Sequence, residues 1–296
     1  MAPVLMALAV TTVVLPSPAS AQREERSIYA SVLDQSGAPV KALAASDFIV
    51  RENGVQREIL EVKRATDPLQ IAVLVDTSEA ITPHLNDLRI ALRSFFRKVP
   101  GTHEIALYEF GERPALLADY SRDLARHEAA VGRLFARSGS GAYLLDAIVE
   151  ATRGLRRREG LRPVIVVITA EGPEFSDRYH RTVLDDLRLA GATLHSFVFD
   201  EPATPLFDDA AWEREFTLAK GARNTGGRRE NLLTSMALAG RLRDLAAELR
   251  NQYQVVYARP ESLIPPDTVE VSIKPSGLTV RAAQAWTSEG WRSQGR

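Results

Sequence analysis

Two uninterrupted apolar runs constrain the fold of this chain more than any other feature of its sequence. Residues 71–75 read Ile-Ala-Val-Leu-Val before Asp76, and residues 164–168 read Val-Ile-Val-Val-Ile before Thr169. A strand that is buried on one face alternates apolar and polar residues, whereas a parallel strand covered by helices on both faces is apolar throughout. The two runs therefore predict central strands of a parallel sheet.

Segments with the apolar spacing of amphipathic helices lie between and after these runs. Their four apolar stripes are Ile81, Leu85, Leu88, Leu92, Phe95 and Val99; Leu144, Ile148, Ala151 and Leu155; His180, Val183, Leu184 and Leu187; and Leu238, Leu242, Leu245 and Leu249. Further strands are predicted over residues 104–110, 115–119 and 193–199. Strands that alternate with helices predict an α/β fold, with a doubly wound, mostly parallel sheet flanked by helices in Rossmann-like fashion.

Both ends of the chain outside this region have the pattern of short strands and turns. In the N-terminal part, Asn53-Gly54 stands between two strand-like runs, which is a strong hairpin signal. We predict an N-terminal β segment over residues 22–66, an α/β domain over 67–250 and a C-terminal β segment over 251–286. The two β segments are expected to pack together as a small accessory unit, followed by a flexible tail over 287–296.

The first 21 residues have the pattern of a secretory signal. They contain no charged side chain, and an apolar run over 4–15 is followed by Pro16, Pro18 and Ala19-Ser20-Ala21. This pattern predicts cleavage between Ala21 and Gln22 and a secreted or periplasmic protein, with a buried N-terminal helix as the alternative. No later apolar run approaches 18 residues, so we expect no transmembrane segment after cleavage.

The composition excludes several classes of function. The chain has no Cys, which rules out Cys-ligated zinc, iron–sulfur clusters and a Cys nucleophile. With 296 residues it can bury a large core without disulfide bonds. Its formal net charge of −1 argues against a nucleic-acid partner, because nucleic-acid binders normally carry a basic excess.

No recognised catalytic set is present either. The G-x-S-x-G, H-E-x-x-H and P-loop motifs are all absent, and Gly139-Ser140-Gly141 lacks the flanking spacing of a nucleophile elbow. The five histidines are scattered, at positions 84, 103, 127, 180 and 195. We therefore predict that the protein is not an enzyme, and keep a hydrolase of unknown class as a lesser alternative.

A ligand of an open parallel sheet binds beyond the carboxyl ends of its strands, where the strand order reverses. Two polar loops follow predicted strands here, over residues 76–80 and 169–172. The carboxylate and hydroxyl oxygens of these loops are ligands suited to a hard cation such as Mg²⁺ or Ca²⁺.

These loops and their flanking residues resemble those of a von Willebrand factor A (VWA) domain. In particular, the chain is similar to the VWA-related proteins exported by acidobacteria and similar bacteria. The residues that carry the resemblance are Ile71–Ser78, Tyr143–Ala147, Val164–Thr169, Thr225–Arg228 and Asn251–Tyr257, with Val32–Phe48 and Glu52–Gly54 in the N-terminal part. The resemblance implies a VWA-type, Rossmann-like fold.

The resemblance also implies a metal-ion-dependent adhesion site (MIDAS), built from an Asp-x-Ser-x-Ser loop, a Thr and a second Asp. Asp76 and Ser78 match the first loop, but Ala80 stands at its second Ser. Ala142 occupies the Thr position and Ala170 the position of the second Asp. The sequence therefore predicts a degenerate MIDAS that lacks three oxygen ligands.

One carboxylate and one hydroxyl would leave most of a cation's coordination to water, which weakens binding. We therefore expect no cofactor and a metal-independent protein. The alternative is a site for Mg²⁺, Ca²⁺ or Mn²⁺ formed by Asp76, Ser78 and Glu171, if the longer Glu171 side chain reaches back. Without a metal, Asp76 and Ser78 would be turn residues that bond nearby backbone amides.

The function that the resemblance implies is non-enzymatic binding or adhesion to a protein or cell-envelope component. The expected contact surface is the carboxyl edge of the sheet, and the residues predicted to line it are Asp76, Thr77, Ser78, Glu79, Ser140, Glu171 and Glu174. A purely structural or assembly protein is a third class that the sequence leaves open.

Overall fold

The computed structural model describes residues 23–99, 101–158, 160–200, 209–260 and 266–284. The predicted signal sequence and the predicted tail over 287–296 lie outside these ranges. No helix within them is long and apolar enough to cross a membrane.

The described residues form thirteen strands and six α-helices in chain order. They are β1 (Arg23–Leu33), β2 (Phe48–Glu52), β3 (Val55–Arg57), β4 (Ile59–Arg64), β5 (Leu69–Val75), α1 (Leu85–Lys98), β6 (Glu104–Glu109), β7 (Ala115–Ser121), α2 (Leu124–Gly132), α3 (Leu144–Arg156), β8 (Arg162–Ala170), α4 (His180–Ala190), β9 (Thr193–Phe199), α5 (Asp209–Thr225), β10 (Arg229–Leu232), α6 (Ala237–Arg250), β11 (Tyr253–Pro260), β12 (Val269–Ile273) and β13 (Thr279–Ala282). Short 3₁₀ turns precede β2 and α1, over Ala45–Asp47 and Glu79–His84.

The central sheet has six strands in the order β10-β9-β8-β5-β6-β7. Every neighbouring pair is parallel except β6 and β7. The strand order runs outward in both directions from β5 and β8, so the switch point lies between these two strands. The predicted mostly parallel α/β sheet is confirmed.

Helices cover both faces of this sheet, which explains why β5 is apolar at every position but one. Ile71, Val73 and Val75 pack in the core beneath α1 and α6, while Ala72 and Leu74 pack in a second core beneath α3, α4 and α5. Consecutive side chains of a strand point to opposite faces. A strand between two helical layers must therefore be apolar on both.

The N- and C-terminal segments form two smaller antiparallel sheets, with orders β13-β1-β11-β4 and β12-β2-β3. Residues from both ends share one core, which includes Val32, Phe48, Val50, Val255 and Val269. The accessory β sheets expected from the terminal segments are thus present. The exact boundaries at residues 67 and 250 remain a prediction.

Arg162, the first residue of β8, links the accessory sheets to the central sheet. It is buried, and its guanidinium donates hydrogen bonds to Asp67 O (2.8 Å), Leu249 O (2.7 Å) and Gln252 Oε1 (2.7 Å). A buried charge is tolerated where polar groups surround it. This arginine therefore bonds to both segments through which the chain passes between the accessory sheets and the central sheet, one at Asp67 and the other at Leu249 and Gln252.

Candidate functional site

The candidate site lies where β5 and β8 end side by side. Val75 pairs with Ile168 in register, and the amide of Asp76 continues the ladder by donating to Ile168 O (2.9 Å). Because the strands are parallel, Asp76 and Thr169 emerge together at the carboxyl edge of the sheet. Both side chains are fully buried.

The carboxylate of Asp76 accepts three hydrogen bonds from the protein. Its Oδ1 accepts from the amide of Ser78 (2.8 Å), and its Oδ2 accepts from Thr169 Oγ1 (2.7 Å) and the amide of Ala170 (3.2 Å). Hydrogen bonds of this kind stabilise a buried carboxylate. Both oxygens that would face a cation are thus bonded to protein donors.

A buried arginine completes this network from helix α5. The Nη2 of Arg214 donates to Thr169 Oγ1 (2.9 Å) and Ala170 O (2.6 Å), and its Nη1 donates to Gly172 O (3.2 Å). Only 6% of Arg214 is exposed. The hydroxyl of Thr169 therefore links a guanidinium to the carboxylate of Asp76.

Backbone contacts hold the neighbouring loops against this centre. Gly111 donates its amide to Thr77 Oγ1 (3.0 Å), and the amide of Arg137 donates to Thr77 O (2.9 Å). The amide of Glu79 donates to Ser140 O (3.3 Å). The loop after β5 is therefore fixed on two sides by the backbone of other loops.

Ala142 and Ala170 stand at two MIDAS ligand positions, and neither side chain supplies an oxygen. Ala142 instead pairs through its backbone with the loop after β8, donating to Pro173 O (2.8 Å) and accepting from the amide of Phe175 (2.7 Å). The remaining side-chain oxygens at the MIDAS positions are those of Asp76 and Ser78. This donor set is poor for a divalent cation, which prefers six or more oxygens.

Glu171 lies beside Asp200, at the end of β9. Burial raises the pKa of Glu171 above its usual range, and the neighbouring carboxylate of Asp200 raises it further, while Arg214 opposes the shift. Among the residues that the structure describes, no three His, Asp or Glu side chains are grouped so that they could hold a metal ion. A cation shared by Asp76, Ser78 and Glu171 stays a prediction.

Four of the seven residues predicted on the contact surface are buried: Asp76, Thr77, Ser78 and Glu174. Glu174 Oε1 accepts from the amides of Leu144 and Ser176 (3.1 Å each), so this carboxyl caps the start of α3. Burial raises the pKa of Glu174. A partner would therefore meet Glu79, which is exposed, and Ser140 and Glu171, which are half-buried.

Exposed aromatic side chains that the sequence did not single out lie on the segments that follow β8 and β9. Phe175 is 53% exposed and packs edge-on against Tyr143, and Tyr179 is 70% exposed. Trp212 is 54% exposed and stacks on Phe216. The sequence marks these aromatic residues only by their positions, because Phe175 and Tyr179 follow β8 and Trp212 lies near the start of α5.

A groove of about 530 Å³ opens at the same edge, in front of Phe175. Its walls include Glu112, Arg137, Ser140 and Tyr143. A cavity of this size accommodates several side chains of a binding partner.

Comparison with known proteins finds a match for the central region. Residues 71–172 match the sequence model of the von Willebrand factor type A domain. VWA domains are usually non-catalytic binding modules. No curated protein sequence matches the chain.

Solved structures are similar to the chain at low sequence identity. The structure of a von Willebrand factor type A protein from Catenulispora acidiphila is 12% identical, with a TM-score of 0.53 over 92% of this chain and 76% of the other. BatB from Bacteroides thetaiotaomicron is 14% identical, with a TM-score of 0.48 over 62% and 100%. The vWF domain of the type V pili tip protein Mfa5 from Porphyromonas gingivalis is 12% identical, with a TM-score of 0.48 over 62% and 96%.

Proposed function

We propose that this VWA domain protein is an exported, non-catalytic module that binds a protein or cell-envelope component without a divalent cation. The contact is made at the carboxyl edge of the central sheet, where the loops after β5 and β8 meet. Export is inferred from the charge-free apolar segment over residues 1–21 and its Ala-x-Ala ending.

The observation that carries this proposal is the bonding of Asp76. Each of its two carboxylate oxygens accepts at least one hydrogen bond from the protein itself. Two donors occupy Oδ2, so at most the remaining lone pair of Oδ1 could face a cation without displacing a protein donor, and Ala142 and Ala170 offer no side-chain oxygen in compensation. The loops are therefore held in their binding geometry by protein contacts alone.

The binding energy is expected from aromatic side chains at this edge. Phe175, Tyr179 and Trp212 are all more than half exposed. Large aromatic side chains contribute most of the affinity in many protein interfaces, because they bury much apolar surface with few rotatable bonds. Glu79 and Ser140 would supply polar contacts at the rim.

Capture from a cell-envelope extract tests the proposal. The chain is immobilised and exposed to the extract in EDTA and, separately, in MgCl₂. We expect the same partner in both buffers and at least a tenfold loss of capture for the double variant Phe175→Ala/Tyr179→Ala, about 1.4 kcal/mol or more.

The matched control is Leu161→Ala, an equally exposed apolar residue just before β8, at the opposite edge of the sheet. This variant should capture the partner as well as the unaltered chain does. Capture only in MgCl₂ would refute metal independence, and equal losses in both variants would refute the proposed surface. Hydrolysis of a generic ester or glycoside without any partner would favour an enzyme instead.

A further inference from the structure

We infer that Arg214 is a positioning residue that holds the loops of this site together in place of the divalent cation that the VWA fold implies. The inference rests on the proposed metal-free mode of binding and names the group responsible for it. It follows from three properties of the site: the donors that surround Asp76, the reach of Arg214, and the charges that face Arg214.

The donors around Asp76 do not fit a divalent cation. Thr169 Oγ1 directs its proton at Asp76 Oδ2 and accepts a hydrogen bond from Arg214, so its oxygen is engaged in both roles. Ala170 directs its amide proton at the same carboxylate oxygen. A cation ligand must present lone pairs to the metal, whereas these groups present protons to Asp76.

Arg214 connects the loops after β5 and β8, which a bound metal would otherwise connect. Its guanidinium reaches the hydroxyl of Thr169 and the carbonyls of Ala170 and Gly172, and Thr169 passes the connection to the loop after β5. The planar guanidinium has five N–H donors in a fixed fork, which suits simultaneous bonds to several oxygens. One side chain of α5 thereby fixes two loops.

Acidic side chains lie near Arg214 as well. Arg214 is among the charges that act on Glu171, together with Asp200 and Glu215. These carboxylates partly offset the charge of the buried guanidinium. A divalent cation bound at Asp76 would lie close to a fixed positive charge, and like charges at short distance repel strongly where water is excluded.

The test returns one missing MIDAS ligand to the chain, first with Arg214 present and then with Arg214 replaced. Ala170→Asp returns a carboxylate to the position of the second MIDAS Asp, and Arg214→Met removes the positive charge while keeping most of the side-chain volume. Calorimetric titration with MnCl₂ is performed on the unaltered chain, on each single variant and on the double variant. The titration needs no partner, so its result is independent of the capture experiment.

We expect no heat of binding from the unaltered chain or from Ala170→Asp, because the buried positive charge of Arg214, bonded to Thr169 and to the carbonyl of Ala170, repels a cation at this edge of the sheet. The double variant should bind Mn²⁺ at least about tenfold more tightly than Ala170→Asp. Equal affinities of Ala170→Asp and the double variant, or micromolar binding by the unaltered chain, would overturn the inference.

A second measurement decides the matter if the double variant does not fold. Arg214→Lys keeps the positive charge and Arg214→Gln does not. The melting temperature of Ala170→Asp/Arg214→Gln should rise with MnCl₂, whereas that of Ala170→Asp/Arg214→Lys should not change. The same response in both would show that the charge of Arg214 does not exclude the cation.

Discussion

Replacing Thr169 with Val removes the link between Asp76 and Arg214 while hardly changing the volume of the side chain. The hydroxyl is completely buried, donates to Asp76 Oδ2 over 2.7 Å and accepts from Arg214 Nη2 over 2.9 Å. Both partners carry a charge. In the variant, Asp76 Oδ2 keeps only the 3.2 Å bond from the amide of Ala170.

The size of the effect follows from these two bonds. A hydrogen bond to a charged group contributes about 1.5–3 kcal/mol, and a buried charged group that loses its partner carries a further desolvation cost. We expect Thr169→Val to lower the free energy of unfolding by about 3 kcal/mol, which is a large share of the total for an ordinary domain.

Urea unfolding followed by circular dichroism measures this loss, and Thr152→Val is the matched control. Thr152 is also fully buried, but its hydroxyl donates only to the carbonyl of Val149 in its own helix, α3. The control should lose about 1 kcal/mol or less, because this bond involves no charge. If Thr169→Val and Thr152→Val lose the same free energy, the charged link at Asp76 does not contribute as described.

Three further predictions concern stability. Gly111→Ala places a methyl group against the backbone of Thr77, so it should lower the free energy of unfolding in urea by about 3 kcal/mol. Gly132→Ala has open space around it and should leave this free energy unchanged. Similar losses in the two variants would contradict the packing argument. Burial, aided by nearby arginines, keeps the pKa of His195 well below 6.5, so the unaltered chain should lose stability as the pH falls below 6.5, where the unfolded chain takes up a proton. Urea unfolding at about pH 7 and pH 5 should show that His195→Leu does not lose stability in this way. An equal loss between the two pH values in the variant and the unaltered chain would refute the role of His195. Arg162→Met should lower the free energy of unfolding by about 3 kcal/mol, since two buried acceptors and one partly buried acceptor lose their donor; an unchanged urea midpoint would contradict this.

The central sheet could be predicted from the sequence because burial on both faces requires an uninterrupted run of apolar residues. The runs at residues 71–75 and 164–168 have no polar position, and they became β5 and β8. Helix α5 has no comparable apolar pattern. Its buried residues include Arg214, Thr217, Gly221 and Asn224, which are polar or lack a side chain, so no apolar stripe is visible.

The same reason limits what the sequence reveals of the site. Asp76 and Ser78 follow a recognisable strand, and the structure joins them through the hydrogen bond from the Ser78 amide. Arg214 lies far away in the sequence, on a helix that was not predicted. The sequence predicts Glu174 at the surface because charged loop residues are usually exposed, whereas its carboxyl is buried against the start of α3.

The most direct test of the central claim is an anomalous difference map from crystals of the unaltered chain soaked in MnCl₂. The account predicts no manganese peak within coordination distance of the Asp76 carboxylate, with Thr169 Oγ1 still bonded to that carboxylate and to Arg214. A manganese peak on Asp76, with the Arg214 guanidinium displaced from Thr169, would contradict it.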